Sequence, residues 1–440
     1  MNVTKDKISS VFFQYSIPAV LGMLAISSAN IVDGFFIGNY VGDSGLAAIN
    51  ISFPIFSLLF GFALMLAIGS SVVSGKLIGE GDIKNASIIF SKTMVCITLF
   101  SFITCTVLFL NIETILYLFG ADENLTKIAI EYLSVILIFI PFLMIGVVLD
   151  YFVRVDNRPN LAFIALLSSA IINVLLDWFM IVYLQKGIFG AALATGISQL
   201  TLLIILLPHF FSKKATLKFV KPIGNYIQII KASYNGASEF VNEISVGITT
   251  LIFNYVMIKN FDIEGIAAFA IINYLLLIGI MISFGISDSL QPIISKNFGA
   301  KKKKRIEDFL KLASIFTGLV GVVMILLIIF MPDTLANIFL EDTNYQTKQI
   351  VLNFATFIWI AFLFNGINLV ISAYLTAIHK PLASMIIALS RSFIFPVFFI
   401  ATLPFVFNTN GIFLAIPMAE GITFVIALLL FRRFSPKKIV

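Results

Sequence analysis

The sequence predicts an all-α integral membrane protein with twelve transmembrane helices in two six-helix bundles. Of its 440 residues, 60% are hydrophobic and only 12% are charged, and the mean hydropathy is +1.05. A chain with so few polar side chains cannot cover a water-soluble protein of this size, so lipid must surround it. The apolar runs are continuous rather than alternating, which favours helices over a membrane β-barrel.

The individual helices are predicted from apolar runs of about 20 residues or more, the length that spans the hydrocarbon core. They cover 11–37, 47–72, 88–110, 130–152, 161–184, 190–211, 228–258, 265–290, 309–331, 350–377, 382–404 and 411–431. The expected domains are an N-terminal six-helix bundle at 1–211, a cytoplasmic linker at 212–227 and a C-terminal six-helix bundle at 228–440.

Basic residues predict the orientation of these helices. Most of the 29 Lys and Arg residues lie at the two termini and in alternate loops. Short loops rich in Lys and Arg stay in the cytoplasm, so both termini are expected there. The basic run at 301–305 is interpreted as an anchor for topology and anionic lipid rather than a nucleic-acid site. The opposite loops hold Lys127, Lys186, Lys259 and Lys348.

The two halves of the chain resemble each other. GLAAINI at 45–51 matches GIAAFAI at 265–271, and NRP at 157–159 resembles HKP at 379–381. The shared order of several weak matches indicates internal duplication. Because each half has an even number of crossings, the halves are expected to be parallel repeats related by a pseudo-two-fold axis along the membrane normal. Such bundles can enclose a cleft and give alternating access by rocking.

Charged side chains inside the first-half helices are candidate functional residues, because a charge at the bilayer centre costs about 2.5–3.5 kcal/mol. Asp33 and Asp177 lie at similar depths, about 6 and 10 Å before the outer ends of their helices. Asn173 precedes Asp177 by one turn, and Thr195 is about 8 Å below the outer surface. Such hard oxygens can bind Na⁺, and two carboxylates in a dry site can share a proton.

These polar groups could instead join helices through hydrogen bonds. That interpretation suits Asn173 or Thr195 alone better than the two acids, since a carboxylate is a costly way to hold helices together. Across the repeat, Asp33 corresponds to Phe253, and Asp177 falls near 399–401. The second half lacks both acids, so the fold alone does not require them. We therefore expect Asp33 and Asp177 to bind the coupling ion.

The second half contains a different set of ionisable residues. Glu239 and Glu243 are one turn apart on one helix face, and Arg391 and Glu420 are near mid-depth. Since unpaired charges there are costly, at least one salt bridge among the four is predicted. Both a structural ion pair and an ion or substrate site remain open. Amides that could bond neighbouring helices or join such a site are Asn273, Asn365 and Asn368.

Four segments carry a family resemblance: IPAVLGMLAISSANIVDGFFIG, NVLLDWFMI, GIFGAALATGISQ and QPIISKNFGAKKKKRI. Together they resemble the multidrug and toxin extrusion family, in particular its bacterial branch of DNA-damage-inducible and staphylococcal-type pumps. The resemblance covers essentially the whole chain. Its strength is in many weak matches in the same order rather than in one diagnostic motif.

The resemblance implies an antiporter of the plasma (inner) membrane, not an enzyme, that exports cationic or amphipathic organic compounds in exchange for H⁺ or Na⁺. It implies no cofactor beyond that ion and no nucleic-acid partner, and we expect a monomer surrounded by membrane lipid. The second-half acid of the family corresponds to Glu243 or Glu239. Pro18 matches a proline at which the first helix can bend, as the lost backbone bond permits. The family's first-half cation site corresponds to Asp33, Asn173, Asp177 and Thr195.

Two other functions are compatible with a polytopic helix bundle. A flippase for lipid-linked oligosaccharides would favour a cationic cleft, whereas the acids inside these helices outnumber Arg391. A membrane-embedded transferase would need a cluster of catalytic residues near one interface. The two histidines, His209 and His379, form no such motif, and His379 is interpreted as a turn residue. Cys96 and Cys105 are interpreted as packing residues.

Overall fold

The computed structural model describes residues 2–337 and 345–439, and within these ranges every regular element is a helix. A helix pairs its own backbone N–H and C=O groups by internal hydrogen bonds. It needs to do so because the lipid hydrocarbon offers these groups no hydrogen-bond partners. The helices are α1 (Ile8–Tyr40), α2 (Asp43–Glu80), α3 (Ile83–Leu110), α4 (Ile112–Leu118), α5 (Glu123–Val155), α6 (Pro159–Asp177), α7 (Gly187–Leu206), α8 (Ile227–Asn235), α9 (Ala237–Gly299), α10 (Lys303–Phe330), α11 (Pro332–Asn337), α12 (Tyr345–Ile358), α13 (Asn365–Ala377), α14 (Pro381–Leu389), α15 (Phe395–Thr402), α16 (Pro404–Phe407), α17 (Thr409–Arg433) and α18 (Pro436–Ile439).

The longest helix, α9, contains two membrane crossings. Its 63 residues would extend roughly 95 Å, about three times the thickness of the hydrocarbon core. At Asp262 the backbone leaves the helical region, with φ 53° and ψ −146°, and this divides α9 into 237–261 and 263–299. Eleven helical stretches are long and apolar enough to cross a membrane. With α9 counted as two, the described ranges contain the predicted twelve.

Several predicted helices differ from the structure in detail. The predicted helix 228–258 is wrong at its start, because the short helix α8 precedes Gly236 and the spanning segment begins at Ala237. Four spans also change helix type along their length. Wider π-helical turns occur at Trp178–Tyr183 and Ser390–Ile394, and tighter 3₁₀ turns occur at Leu207–Phe211 and Trp359–Leu363.

The chain forms two compact units. Unit 1 contains Leu21–Gly236 and the residues up to Lys5, and unit 2 contains Asp6–Val20 and the chain from Ala237 onward. The first part of α1 therefore groups with unit 2, although the domain prediction assigned it to the N-terminal bundle. Phe12 packs on Phe316, with ring centroids 5.6 Å apart, and a side chain at Gly285 would meet the Val20 backbone at 2.6 Å.

The predicted linker is a fixed part of unit 1. The buried carboxylate of Asp156, at the end of α5, accepts hydrogen bonds from the backbone N–H groups of Thr216 and Leu217 at 3.0 to 3.1 Å. Its Oδ2 also lies 2.6 Å from Nε2 of His209. Farther along, the buried Lys92 donates from Nζ to the Asn225 carbonyl at 2.9 Å. These hydrogen bonds therefore tie the linker to the surface of unit 1.

The turns of the two halves repeat an unusual backbone feature. Residues with positive φ occur at corresponding turns, although residues other than Gly, Asn and Asp seldom adopt this conformation. The positions form pairs about 220 residues apart, which supports the internal duplication. His379 occupies the turn that corresponds to the one at Asn157 in the first half. The pairs are Gly42 (φ 91°) with Asp262 (φ 53°), Gly81 (φ 88°) with Lys301 (φ 54°), Asn157 (φ 65°) with His379 (φ 58°), and Gln185 (φ 51°) with Asn408 (φ 52°).

Replacing Asp156 by alanine should loosen the linker. Two backbone N–H groups and His209 lose their acceptor, and buried groups left unpaired cost about 1–3 kcal/mol. We expect trypsin to cleave at Lys213 and Lys214 at least about tenfold faster than in the parent protein, because 1.4 kcal/mol is a factor of ten in an opening equilibrium. Asp82→Ala, which removes an exposed N-cap of α3, is the control. Equal cleavage rates for Asp156→Ala and Asp82→Ala would contradict this account.

Candidate ion-coupling site

The acid pair predicted in the first half comes together in unit 1. Asp33 is on α1 and Asp177 is the last residue of α6, and their side chains lie within hydrogen-bonding reach of each other. Asp177 is fully buried and Asp33 is partly buried. Two ionised carboxylates only accept hydrogen bonds. Their contact is therefore favourable only when a proton or a cation lies between them.

The surrounding side chains do not satisfy this pair. Among the described residues, no group donates a hydrogen bond to Oδ1 of Asp33 or to either carboxylate oxygen of Asp177. Buried carboxylates in proteins normally have donors, because an unpaired one loses its hydration without replacement. The acid pair therefore has acceptor oxygens that the described protein groups leave unfilled.

A small apolar cluster lies beside the acid pair. Ile37 is one turn beyond Asp33, and Ile181 follows Asp177 in the π-helical turn. Both are almost fully buried and pack with Ile188. This cluster limits the access of water to the carboxyl groups, which strengthens the electrostatic interaction between them.

Tyr132 on α5 is a polar neighbour of both acids that the sequence analysis missed. It packs against the same apolar cluster, and its phenol lies within electrostatic reach of Asp33 and Asp177. A tyrosine near the outer end of a predicted helix is normally interpreted as part of the aromatic belt at the membrane interface. Its position beside the acids could be found only from the packing of α5.

The other two residues of the predicted ion site, Asn173 and Thr195, lie on the expected helices. They take no part in the contact between the two acids. Asn173 is buried one turn before Asp177 on α6. Thr195 is partly buried on α7, which packs against α6. One turn after Thr195, Gln199 has a buried Oε1 that accepts no hydrogen bond from the described chain. Gln199 is a second residue that the sequence analysis did not select.

The π-helical turn Trp178–Tyr183 begins directly after Asp177. A π turn contains one more residue than an α turn, and such turns occur often at functional sites. The sequence WFMIVY contains neither glycine nor proline, so the change from α-helix to π-helix could not be predicted from it.

In unit 2, the predicted salt bridge is confirmed. Arg391 Nε donates to Glu420 Oε1 at 2.8 Å, and both side chains are about nine-tenths buried. Asn365 Nδ2 donates to the same oxygen and Asn368 Nδ2 to Oε2, each at 2.8 Å. The two asparagines therefore act as helix-to-helix donors. Glu420 accepts hydrogen bonds at both oxygens, in contrast to the acid pair.

Glu239 and Glu243 lie near this salt bridge but outside its hydrogen bonds. Both are partly buried near the start of α9. Glu239 is within electrostatic reach of Glu243, Asp288 and Arg391. Three of these four groups are carboxyls. Asp288, which is buried in α9, is not among the residues that the sequence analysis selected.

Two further predicted residues have clear positions. Asn273 lies partly buried in α9, outside the hydrogen bonds that join Asn365 and Asn368 to Glu420. Pro18 is within the continuous helix α1 and denies the carbonyl of Gln14 its usual intrahelical donor. It lies close to Val20, where α1 passes from unit 2 to unit 1.

Membrane-spanning helices that enclose buried ionisable groups are typical of transporters. The family model MatE matches the chain twice, at 18–179 and 240–402, and the chain belongs to this family. It is therefore a transporter and not an enzyme. The two matches begin 222 residues apart (240 minus 18), in agreement with the internal repeat.

Relatives and solved structures agree with this assignment. The chain is 26% identical over 436 residues to "Multidrug export protein MepA" of Staphylococcus saprophyticus, covering 96% of this chain and 94% of that protein. It is 24% identical to the protein of the same name in Staphylococcus aureus strain N315, with coverage of 97% and 94%.

Solved structures share the fold. An outward-facing multidrug resistance MATE family transporter of the MOP superfamily superposes with a TM-score of 0.93 at 19% identity, over 99% of this chain and 98% of the other. A MOP superfamily transporter from Pyrococcus furiosus, with a binding pocket of reverse polarity, superposes with a TM-score of 0.91 at 19% identity and the same coverage.

The Arg391–Glu420 pair predicts a non-additive pair of substitutions. Arg391→Leu leaves Glu420 buried without its counter-charge, so we expect a loss of about 3–5 kcal/mol in the free energy of unfolding. Adding Glu420→Gln should restore more than half of that loss. Unfolding of the purified variants in mixed detergent micelles measures both effects. Lys127→Leu, which breaks an exposed pair with Glu123, should cost no more than about 1 kcal/mol. Additive effects of the two unit 2 substitutions would refute a direct coupling.

Proposed function

We propose that the protein is a secondary antiporter that exports cationic or amphipathic organic compounds in exchange for H⁺ or Na⁺. The observation that carries the proposal is the contact between Asp33 and Asp177, whose unfilled acceptor oxygens need a proton or a cation. The names of the staphylococcal relatives, which are multidrug export proteins, support drug export. The acidic surroundings of Glu239 support a cationic cargo.

The coupling step follows from the repulsion between the two carboxylates. When both are ionised, the repulsion favours an arrangement that admits a cation. Binding of H⁺ or Na⁺ removes the repulsion and lets Asn173 and Thr195 close around the ion. Closure is coupled to bending of α1 at Pro18, so ion and substrate shift one conformational equilibrium in opposite directions.

The alternative of a flippase for lipid-linked oligosaccharides is less well supported. The Pyrococcus furiosus structure indicates that one fold can have binding pockets of opposite polarity, so the fold does not decide the cargo. An anionic pyrophosphate carrier would need an available positive charge. In unit 2, the buried positive charge of Arg391 is neutralised by Glu420.

The proposed location is the plasma (inner) membrane, with both termini in the cytoplasm and the protein acting as a monomer. The distribution of Lys and Arg between the loops supports this orientation. The linker and its lysines then lie on the cytoplasmic side.

Neutralising either acid should abolish coupled export. Asn has nearly the size of a protonated Asp but cannot release a proton, so Asp33→Asn and Asp177→Asn fix the pair in an uncoupled state. In proteoliposomes with imposed pH and Na⁺ gradients, we expect export of a cationic fluorescent dye to fall to the rate of protein-free vesicles. The variants should remain folded, as judged by circular dichroism.

The matched control is Asp43→Asn, which changes an exposed acid at the start of α2 and should export at the parent rate. If the Asp33 and Asp177 variants each exported at the parent rate, the two acids would be structural and the proposed coupling wrong.

H⁺ and Na⁺ should compete for the same pair. At acidic pH, protons occupy the carboxyl groups that Na⁺ needs, so the apparent affinity for Na⁺ should fall as the pH falls. The measurement is binding of radioactive Na⁺ to purified protein at alkaline and acidic pH, with Asp177→Asn as the variant that lacks the site. Na⁺ binding that is independent of pH, or unchanged in Asp177→Asn, would place the Na⁺ site elsewhere.

A further inference from the structure

The linker and α8 form a basic surface that the transport mechanism does not use. No Asp or Glu occurs anywhere between 178 and 238, so no acidic side chain from the segment itself neutralises its lysines. Five lysines between 212 and 235 are exposed on unit 1: Lys213, Lys214, Lys218, Lys221 and Lys231.

The same surface exposes apolar side chains in a regular pattern. One face of α8 is buried through Ile229 and Ala232. The other face exposes Ile227, Ile230 and Tyr234 by 50%, 68% and 46%. Their spacing of three and four residues places them together on one side of the helix. A helix with an apolar face and flanking lysines is typical of segments that lie in a membrane interface.

Contacts within unit 1 hold this surface in place. The chain before it is held by Asp156, and the start of α8 is held by Lys92, whose Nζ bonds the Asn225 carbonyl and lies 5.5 Å from the centre of the Tyr226 ring. At the end of α8, a side chain at Gly236 would collide with the carbonyl of Met65, and one at Gly69 with that of Ala232. Only glycine permits this close packing of α8 on α2.

The position in the chain identifies the partner. The segment follows the span that ends at Phe211 and precedes the span that starts at Ala237, so both of its ends lie at the same membrane surface. We propose that 212–235 binds anionic phospholipid of that leaflet, with the lysines at the headgroups and Ile227, Ile230 and Tyr234 among the upper acyl chains. A nucleic acid would leave these apolar side chains unused. The proposal does not depend on the coupling mechanism.

The test compares lipids on the purified full-length protein. In neutral detergent, we expect phosphatidylglycerol to raise the unfolding temperature and phosphatidylcholine with the same acyl chains to have a smaller effect. Each lysine near an anionic surface strengthens binding by about fivefold. The variant K213Q/K214Q/K218Q/K221Q should therefore need at least about tenfold more phosphatidylglycerol for the same increase. The variant I227S/I230S/Y234S should respond less to both lipids.

The matched control removes as many lysines from the opposite loops, K127Q/K186Q/K259Q/K348Q, and should respond to phosphatidylglycerol like the parent protein. The proposal is overturned if the linker variant keeps the parent response, or if the control loses as much of it. Inorganic phosphate or a short RNA that reproduces the full increase would show an anion or nucleic-acid site and would also overturn it.

Discussion

The need to neutralise buried carboxyl groups inside a lipid-embedded bundle governs this structure. The structure contains two arrangements of such groups. The carboxylate of Glu420 is neutralised by Arg391 and accepts hydrogen bonds from two asparagines, so both of its oxygens are bonded within the protein. At Asp33 and Asp177, by contrast, acceptor oxygens have no donor among the described residues, and under the proposed mechanism a proton or cation that can leave would satisfy them. A permanently satisfied acid contributes to the architecture, whereas a temporarily satisfied one can carry out work during a transport cycle.

Much of the fold could be predicted from the sequence, because lipid imposes a simple rule on apolar helices. The number of spans, the pairing of Asp33 with Asp177 and the salt bridge within unit 2 all follow from length, depth and the cost of buried charge. Helix ends were less accurate. Gly236 separates α8 from α9, yet a single glycine within an apolar run does not distinguish a break from a close helix contact.

Other features depend on tertiary packing and could not be predicted. Tyr132 joins the acid pair only because α5 places it there, and its sequence position suggested the membrane interface instead. The assignment of the first part of α1 to unit 2 reflects contacts such as that between Phe12 and Phe316. Neither residue has a sequence feature that distinguishes it from the other 44 phenylalanines (46 minus 2). Likewise, nothing in the sequence around Gln199 indicates that its side-chain oxygen is buried without a donor.

The π-helical turn after Asp177 gives this helix a property that a uniform α-helix lacks. The turn holds one residue more than an α turn, which offsets the helix faces before and after it by about 100°. Asp177 borders this offset. The face that carries its carboxyl is therefore out of register with the face that packs beyond Tyr183, and the two ends of one span can meet different neighbours.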